Sequence, residues 1–63
     1  MRLFQFTETA SEEEIWIDPD KIRLIRASLS DNGGTIIEFG NGDRVEVTDD
    51  LNSVRNRLIH PGR

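Results

Sequence analysis

The chain has 63 residues, 12 of them acidic and 8 basic, for a formal net charge of −4. It has no cysteine, and its hydrophobic share is 35%. These values exclude a disulfide-stapled scaffold, a thiolate metal site and a membrane-spanning segment, since no apolar run approaches the ~18 residues a bilayer requires.

Such a length reads as one small domain, 1–63, with little apolar surface to bury. Self-association to complete the core is therefore one expectation. The lack of cysteine fits a reducing compartment, and cytoplasmic location is expected. Met1-Arg2-Leu3-Phe4-Gln5-Phe6 becomes polar too soon to read as a signal peptide.

Residues 2–7 alternate, with Phe4 and Phe6 in one phase, and are expected to form a strand. Thr7 to Glu13 is polar and acidic and reads as a mobile loop. Ile15-Trp16-Ile17 is rich in β-formers and opens a second strand, ending at Asp18-Pro19. Proline removes a ladder donor and holds Asp18 extended, so Asp18-Pro19-Asp20 reads as a turn or a single 3₁₀ turn.

A third strand comes next. Ile22 and Ile25 stand three apart, which suits a turn running into a strand. Beyond them, Ile25, Ala27 and Leu29 share an apolar phase, leaving Arg26 and Ser28 exposed opposite. Ser30 to Gly34 has turn composition.

The next two strands flank Gly40-Asn41-Gly42. A two-residue loop at Asn41-Gly42 pairs Glu38 with Val45 and mixes the faces. A three-residue loop pairs Phe39 with Asp43, Glu38 with Arg44 and Ile37 with Val45. That register puts Thr35, Ile37, Phe39, Val45 and Val47 on one face. A one-residue slip reverses every side chain, so the pattern selects the three-residue loop, with Gly42 at positive φ.

Asp49 to Ile59 reads as a helix, with Thr48 as N-cap and Asp49 and Asp50 favouring the positive dipole end. Leu51, Val54 and Leu58 form an apolar stripe, widened by Ile59. Arg55 and Arg57 lie towards the negative end, and His60-Pro61-Gly62 stops the helix. So short a helix is marginal alone, and its stripe is expected to pack on the last hairpin. The expected fold is α+β. It has a mainly antiparallel sheet of four to five short strands, curled or forming a partial barrel, with one C-terminal helix.

Little in this sequence carries chemistry. His60 is the sole histidine and reads as a solvated terminal residue. Asp18, Asp20 and Glu12 to Glu14 lack the spacing and glycine of a calcium loop, and turn chemistry accounts for them better. Gly40-Asn41-Gly42-Asp43 does not lead from strand into helix and is no phosphate loop. No serine or threonine has a base and an orienting acid at usable spacing. A non-enzymatic protein is expected, with no cofactor and no metal.

Strand alternation puts Trp16 opposite to Ile15 and Ile17, and Ile36 opposite to Ile37. Trp16 and Ile36 are therefore expected on the outer face. Two readings stay open: an interface anchored by Trp16, or packing of Trp16 inside a curled sheet.

The run Ile15-Trp16-Ile17-Asp18-Pro19-Asp20-Lys21-Ile22-Arg23-Leu24-Ile25, with a Gly-containing hairpin and a helix after it, resembles the small bacterial FlbD/SwrD family linked to flagellar and swarming motility. The resemblance covers roughly residues 15–59. It implies a bacterial regulatory or accessory role. The strand order and closing helix also resemble part of a LytTR-type DNA-binding domain, although the basic continuation of that domain is missing. Size and element order are similar to the RNA-binding CsrA family, without its Gly-Glu-Thr-Leu and Gly-Val-Asn-Ala-Pro segments.

The leading expectation is a protein-interaction or regulatory accessory module that binds a protein partner or itself. The alternative is a small nucleic-acid-binding regulator using Lys21, Arg23, Arg26, Arg55 and Arg57. Net negative charge works against that alternative.

Overall fold

The computed structural model describes residues 3–29 and 33–59. Five strands and one helix occur in the order β1 (Phe4–Thr7), β2 (Glu14–Ile17), β3 (Ile22–Ala27), β4 (Thr35–Phe39), β5 (Arg44–Val47) and α1 (Leu51–Ile59). A 3₁₀ turn at Pro19–Lys21 joins β2 to β3. The architecture is α+β, as the alternation and the closing helix implied.

The strands form two antiparallel sheets, β1-β2 and β3-β4-β5. An isolated bridge between Glu8 and Val47 links them. Backbone bonds from Thr9 N–H to the Glu46 carbonyl (2.9 Å) and from Thr48 N–H to the Thr7 carbonyl (3.0 Å) reinforce the link. The sheets thus curl around a shared interior without closing into a barrel.

The β4–β5 hairpin adopts the register that its pattern selects. Ile37 pairs with Val45 and Glu38 with Arg44, and Gly42 has φ +95°. Phe39 and Asp43 close the loop, with the Phe39 N–H donating to the Asp43 carbonyl at 2.8 Å. Gly34 has a different job. A Cβ there would lie 2.3 Å from the Val47 carbonyl oxygen, so only glycine lets β4 start so close to the end of β5.

Every element but β3 supplies the fully buried core: Phe6 from β1, Ile17 from β2, Ile37 from β4, Val47 from β5 and Val54 from α1. Ile22 and Ile25 of β3 pack against this cluster, as do Phe4, Ile15, Phe39, Val45 and Leu58. The helix stripe and the hairpin face thus share one interior, but the strand that α1 runs closest to is β3 and not the last hairpin on which its stripe was expected to pack. Thr35 is also fully buried, and its hydroxyl donates to the Asp49 carbonyl at 2.8 Å. That bond fixes the chain where it enters α1.

Four local expectations need correction. The helix starts at Leu51 and not Asp49, and its cap is Asp50 rather than Thr48: the Asp50 carboxylate accepts from the Ser53 N–H at 2.8 Å. Thr48 is instead held by its backbone bond to Thr7. In β3 the apolar phase ends at Ile25. Ala27 is exposed and Leu29 is 100% exposed, because both lie beyond the part of this edge strand that reaches the core.

Ser28 is half-buried, with its hydroxyl donating to Glu46 at 2.9 Å, where the alternation implied exposure. The acidic loop is not slack. Glu8 N–H donates to the Glu13 carbonyl, Glu12 N–H to the Glu8 carbonyl, and the Ser11 hydroxyl to the Glu8 carboxylate. Its geometry places Glu12 at φ +61°, a left-handed conformation uncommon outside glycine.

The β3–β4 register shifts between Ile22 and Leu24, so Arg23 is an inserted residue. This bulge explains how Ile22 and Ile25, three residues apart, both reach the interior. The stop expected at His60-Pro61-Gly62 and most of the Ser30–Gly34 turn lie outside the described residues.

Candidate interaction surface

Asp18 continues the line of β2 in extended conformation, at φ −83° and ψ 112°. Alternation along an extended chain puts Asp18 on the same side as Trp16. Pro19 then turns the backbone. The Asp18 carboxylate accepts from the Asp20 N–H at 3.0 Å, capping the 3₁₀ turn as its composition implied. Lys21 closes the turn, and its carbonyl accepts from the Gly40 N–H at 3.1 Å. That bond brings the end of β4 beside the turn.

The result is an open groove of about 790 Å³. Trp16, Ile17 and Phe39 supply its apolar wall. Asp18, Asp20 and Lys21 supply its charge, and Gly40-Asn41 its floor. Trp16 is 61% exposed while its neighbour Ile17 is buried. Strand alternation therefore holds at this point, and Trp16 is not core. Sequence reasoning did not join Phe39 to Trp16. The signal was there only in part, because Phe39 borders the Gly40 turn, where a strand leaves the core.

Ile36 lies elsewhere. It is half-buried on the outer face of β4, opposite Arg26 of β3 and Glu46 of β5. Trp16 and Ile36 belong to different sheets and share no cavity among the described residues. Alternation assigns a face to each strand, but it does not say which sheet a strand joins.

The five basic candidates are also dispersed. Arg23 and Arg26 both reach Glu38, at 3.0 and 3.3 Å. Arg57 pairs with Asp49 at 3.3 Å, and its guanidinium lies over the Phe6 ring, 4.3 Å from the centroid. The Phe4 ring is 5.9 Å away. Arg55 is exposed on α1, and Lys21 lines the Trp16 groove. Three of the five side chains thus already engage carboxylates of their own chain. These pairs are solvent-exposed and individually weak.

The Asp50 carboxyl is displaced from its ordinary value. The Ser53 backbone N–H, and then the Ser53 hydroxyl, stabilise its charge and lower its pKa. That is a helix cap at work, not a catalytic acid. Among the described residues no three histidine, cysteine or carboxylate side chains gather as a metal site. No described helix is long and apolar enough to cross a membrane. No family model, curated protein or solved structure matches the chain.

Proposed function

We propose that the chain is a non-enzymatic protein-interaction module, regulatory or accessory in role, whose contact surface centres on Trp16. One observation carries this reading. A tryptophan in a folded domain is usually among its most buried side chains, yet here it projects 61% exposed from a strand whose next residue is core. It stands in a groove with a second aromatic ring, Phe39. Exposed aromatics set in concave surroundings are the commonest anchors of protein interfaces. The basic residues support nucleic-acid binding less well, since Arg23, Arg26 and Arg57 are paired within the chain.

The test is Trp16→Ala. Its far-UV dichroism and melting temperature should match the parent, because the indole contributes little to the core. Association, read by light scattering of the pure chain and by retention of partner proteins on the immobilised chain, should fall. Unfolding of the variant would place Trp16 in the core. Unchanged association would remove it from the interface.

A further inference from the structure

From Leu3 to Asp20 the chain carries six carboxylates, Glu8, Glu12, Glu13, Glu14, Asp18 and Asp20, and no cation. Among the described residues none of the six forms an ion pair, whereas Glu38 and Asp49 do. The β1-β2 hairpin therefore contributes carboxylates and no cation of its own, and Arg57 of α1, which lies over its Phe6 ring, pairs with Asp49 and not with any of the six. Its far end opens into the groove beside Trp16, where Asp18 and Asp20 outnumber Lys21.

The molecule shows how it satisfies such a combination elsewhere. The Arg57 guanidinium stacks over the Phe6 ring while Asp49 holds it from the side. An aromatic face with a flanking carboxylate is a cradle for a cation on an alkyl stem. Trp16 with Asp18 and Asp20 repeats the aromatic and the carboxylates, with Lys21 as the one cation among the groove's lining residues and no ion pair formed by it among the described residues. Indole is the strongest of the aromatic faces for this contact.

We infer that the Trp16 groove receives an arginine- or lysine-bearing apolar segment of a partner protein. A cationic head sits on Trp16 between Asp18 and Asp20, and apolar side chains lie against Ile17 and Phe39. The hairpin carboxylates steer the segment in. The inference rests on the interaction reading above and adds the chemistry of the partner. Charge complementarity decides among occupants. A phosphate-bearing polymer meets Asp18 and Asp20, with Lys21 alone to offset them. A second copy approaching through the same groove meets the same excess of negative charge.

Trp16 is the only tryptophan, so its emission reports the groove directly. The probe is a short peptide alternating arginine with leucine, and the control replaces each arginine with glutamate. The arginine peptide should shift Trp16 emission saturably. Its affinity should fall about tenfold between low and half-molar salt, as the Debye length shortens. Asp18→Asn with Asp20→Asn should weaken it by roughly the same factor. The asparagine at 18 keeps an oxygen for the turn cap, and dichroism checks the fold of the double variant.

Equal binding of the glutamate peptide, or equal binding of the arginine peptide to the double variant, would overturn the inference. Capture of a single-stranded oligonucleotide in place of the peptide would do the same. So would self-association that depends on Trp16 and that the peptide does not displace, which makes a second copy the occupant. If no peptide binds while Trp16→Ala still abolishes association, the partner chemistry is wrong and the interaction surface stands. If Trp16→Ala unfolds the chain, both fall.

Discussion

Replacing Val54 with alanine tests whether α1 is held by the core it closes. Val54 has 0% of its surface exposed and lies in one cluster with Phe6, Ile17, Ile37 and Val47. The change removes two carbons, at about 0.8 kcal/mol each for lost burial. The void they leave adds to this, because a core fed by four strands cannot collapse around one missing side chain. The expected loss is about 2–3 kcal/mol.

In so small a domain that is a large share of the total stability. An unfolding entropy of about 2.1 cal/mol/K per residue gives about 0.13 kcal/mol/K for the chain, so the melting temperature should drop by about 15–23 °C. Leu58→Ala is the internal comparison. Leucine loses more atoms, but Leu58 is only half-buried and packs at the rim. It should cost less per carbon removed. Thermal melts monitored by far-UV dichroism read both. A Val54→Ala shift of under about 4 °C would refute the packing, since that is no more than the effect of an ordinary surface change.

Three further outcomes rest on local geometry. Gly34→Ala should destabilise by at least about 1–3 kcal/mol, because its Cβ would meet the Val47 carbonyl oxygen at 2.3 Å; an unchanged denaturant midpoint would mean the β4 start is not so close to β5. Glu12→Gly should stabilise by up to about 1 kcal/mol by relieving φ +61°, and a lower midpoint would show that the left-handed turn is not populated. Asp50 has a folded pKa below its ordinary 3.8, so its contribution is present above that value and disappears as pH falls through the lower folded value. Asp50→Asn keeps a capping oxygen and should flatten the acid limb of the stability curve below pH 3.8, with an unaltered limb assigning the acid sensitivity to other carboxylates.

The β4–β5 hairpin was the most legible part of the sequence. Five apolar or β-branched residues in alternating phase, around three turn residues, admit one register that keeps the faces separate. Asp18-Pro19-Asp20 was legible for a similar reason: proline fixes φ, and the aspartate before it caps the turn. The helix start was not. Thr48 and Asp50 are both good caps, and the choice depends on the Thr35 hydroxyl reaching the Asp49 carbonyl, a contact between residues 14 apart.

The end of the β3 apolar phase was equally hidden. Ala27 and Leu29 continue the pattern, but an edge strand outruns the core beneath it. For the surface, the outward direction of Trp16 was readable from Ile15 and Ile17. Its separation from Ile36, and its meeting with Phe39, depend on how two sheets curl together, and strand periodicity carries no information about that.

The extra residue at Arg23 has a consequence for how this chain tolerates changes in length. Ordinarily an insertion or deletion within a strand inverts every side chain on one side of it. Here the strand already contains one such inversion, placed so that Ile22 faces inward before it and Ile25 after it, while Arg23 and Arg26 both reach Glu38. Deleting Arg23 alone would restore a regular ladder with more continuous hydrogen bonding. It would leave Ile22 and Ile25 two residues apart, both still on the inner face opposite Phe39 and Ile37, at the cost of the exposed Arg23–Glu38 ion pair. The bulge thus gives β3 one residue that can be lost without inverting either half of the strand, a tolerance that a regular strand lacks.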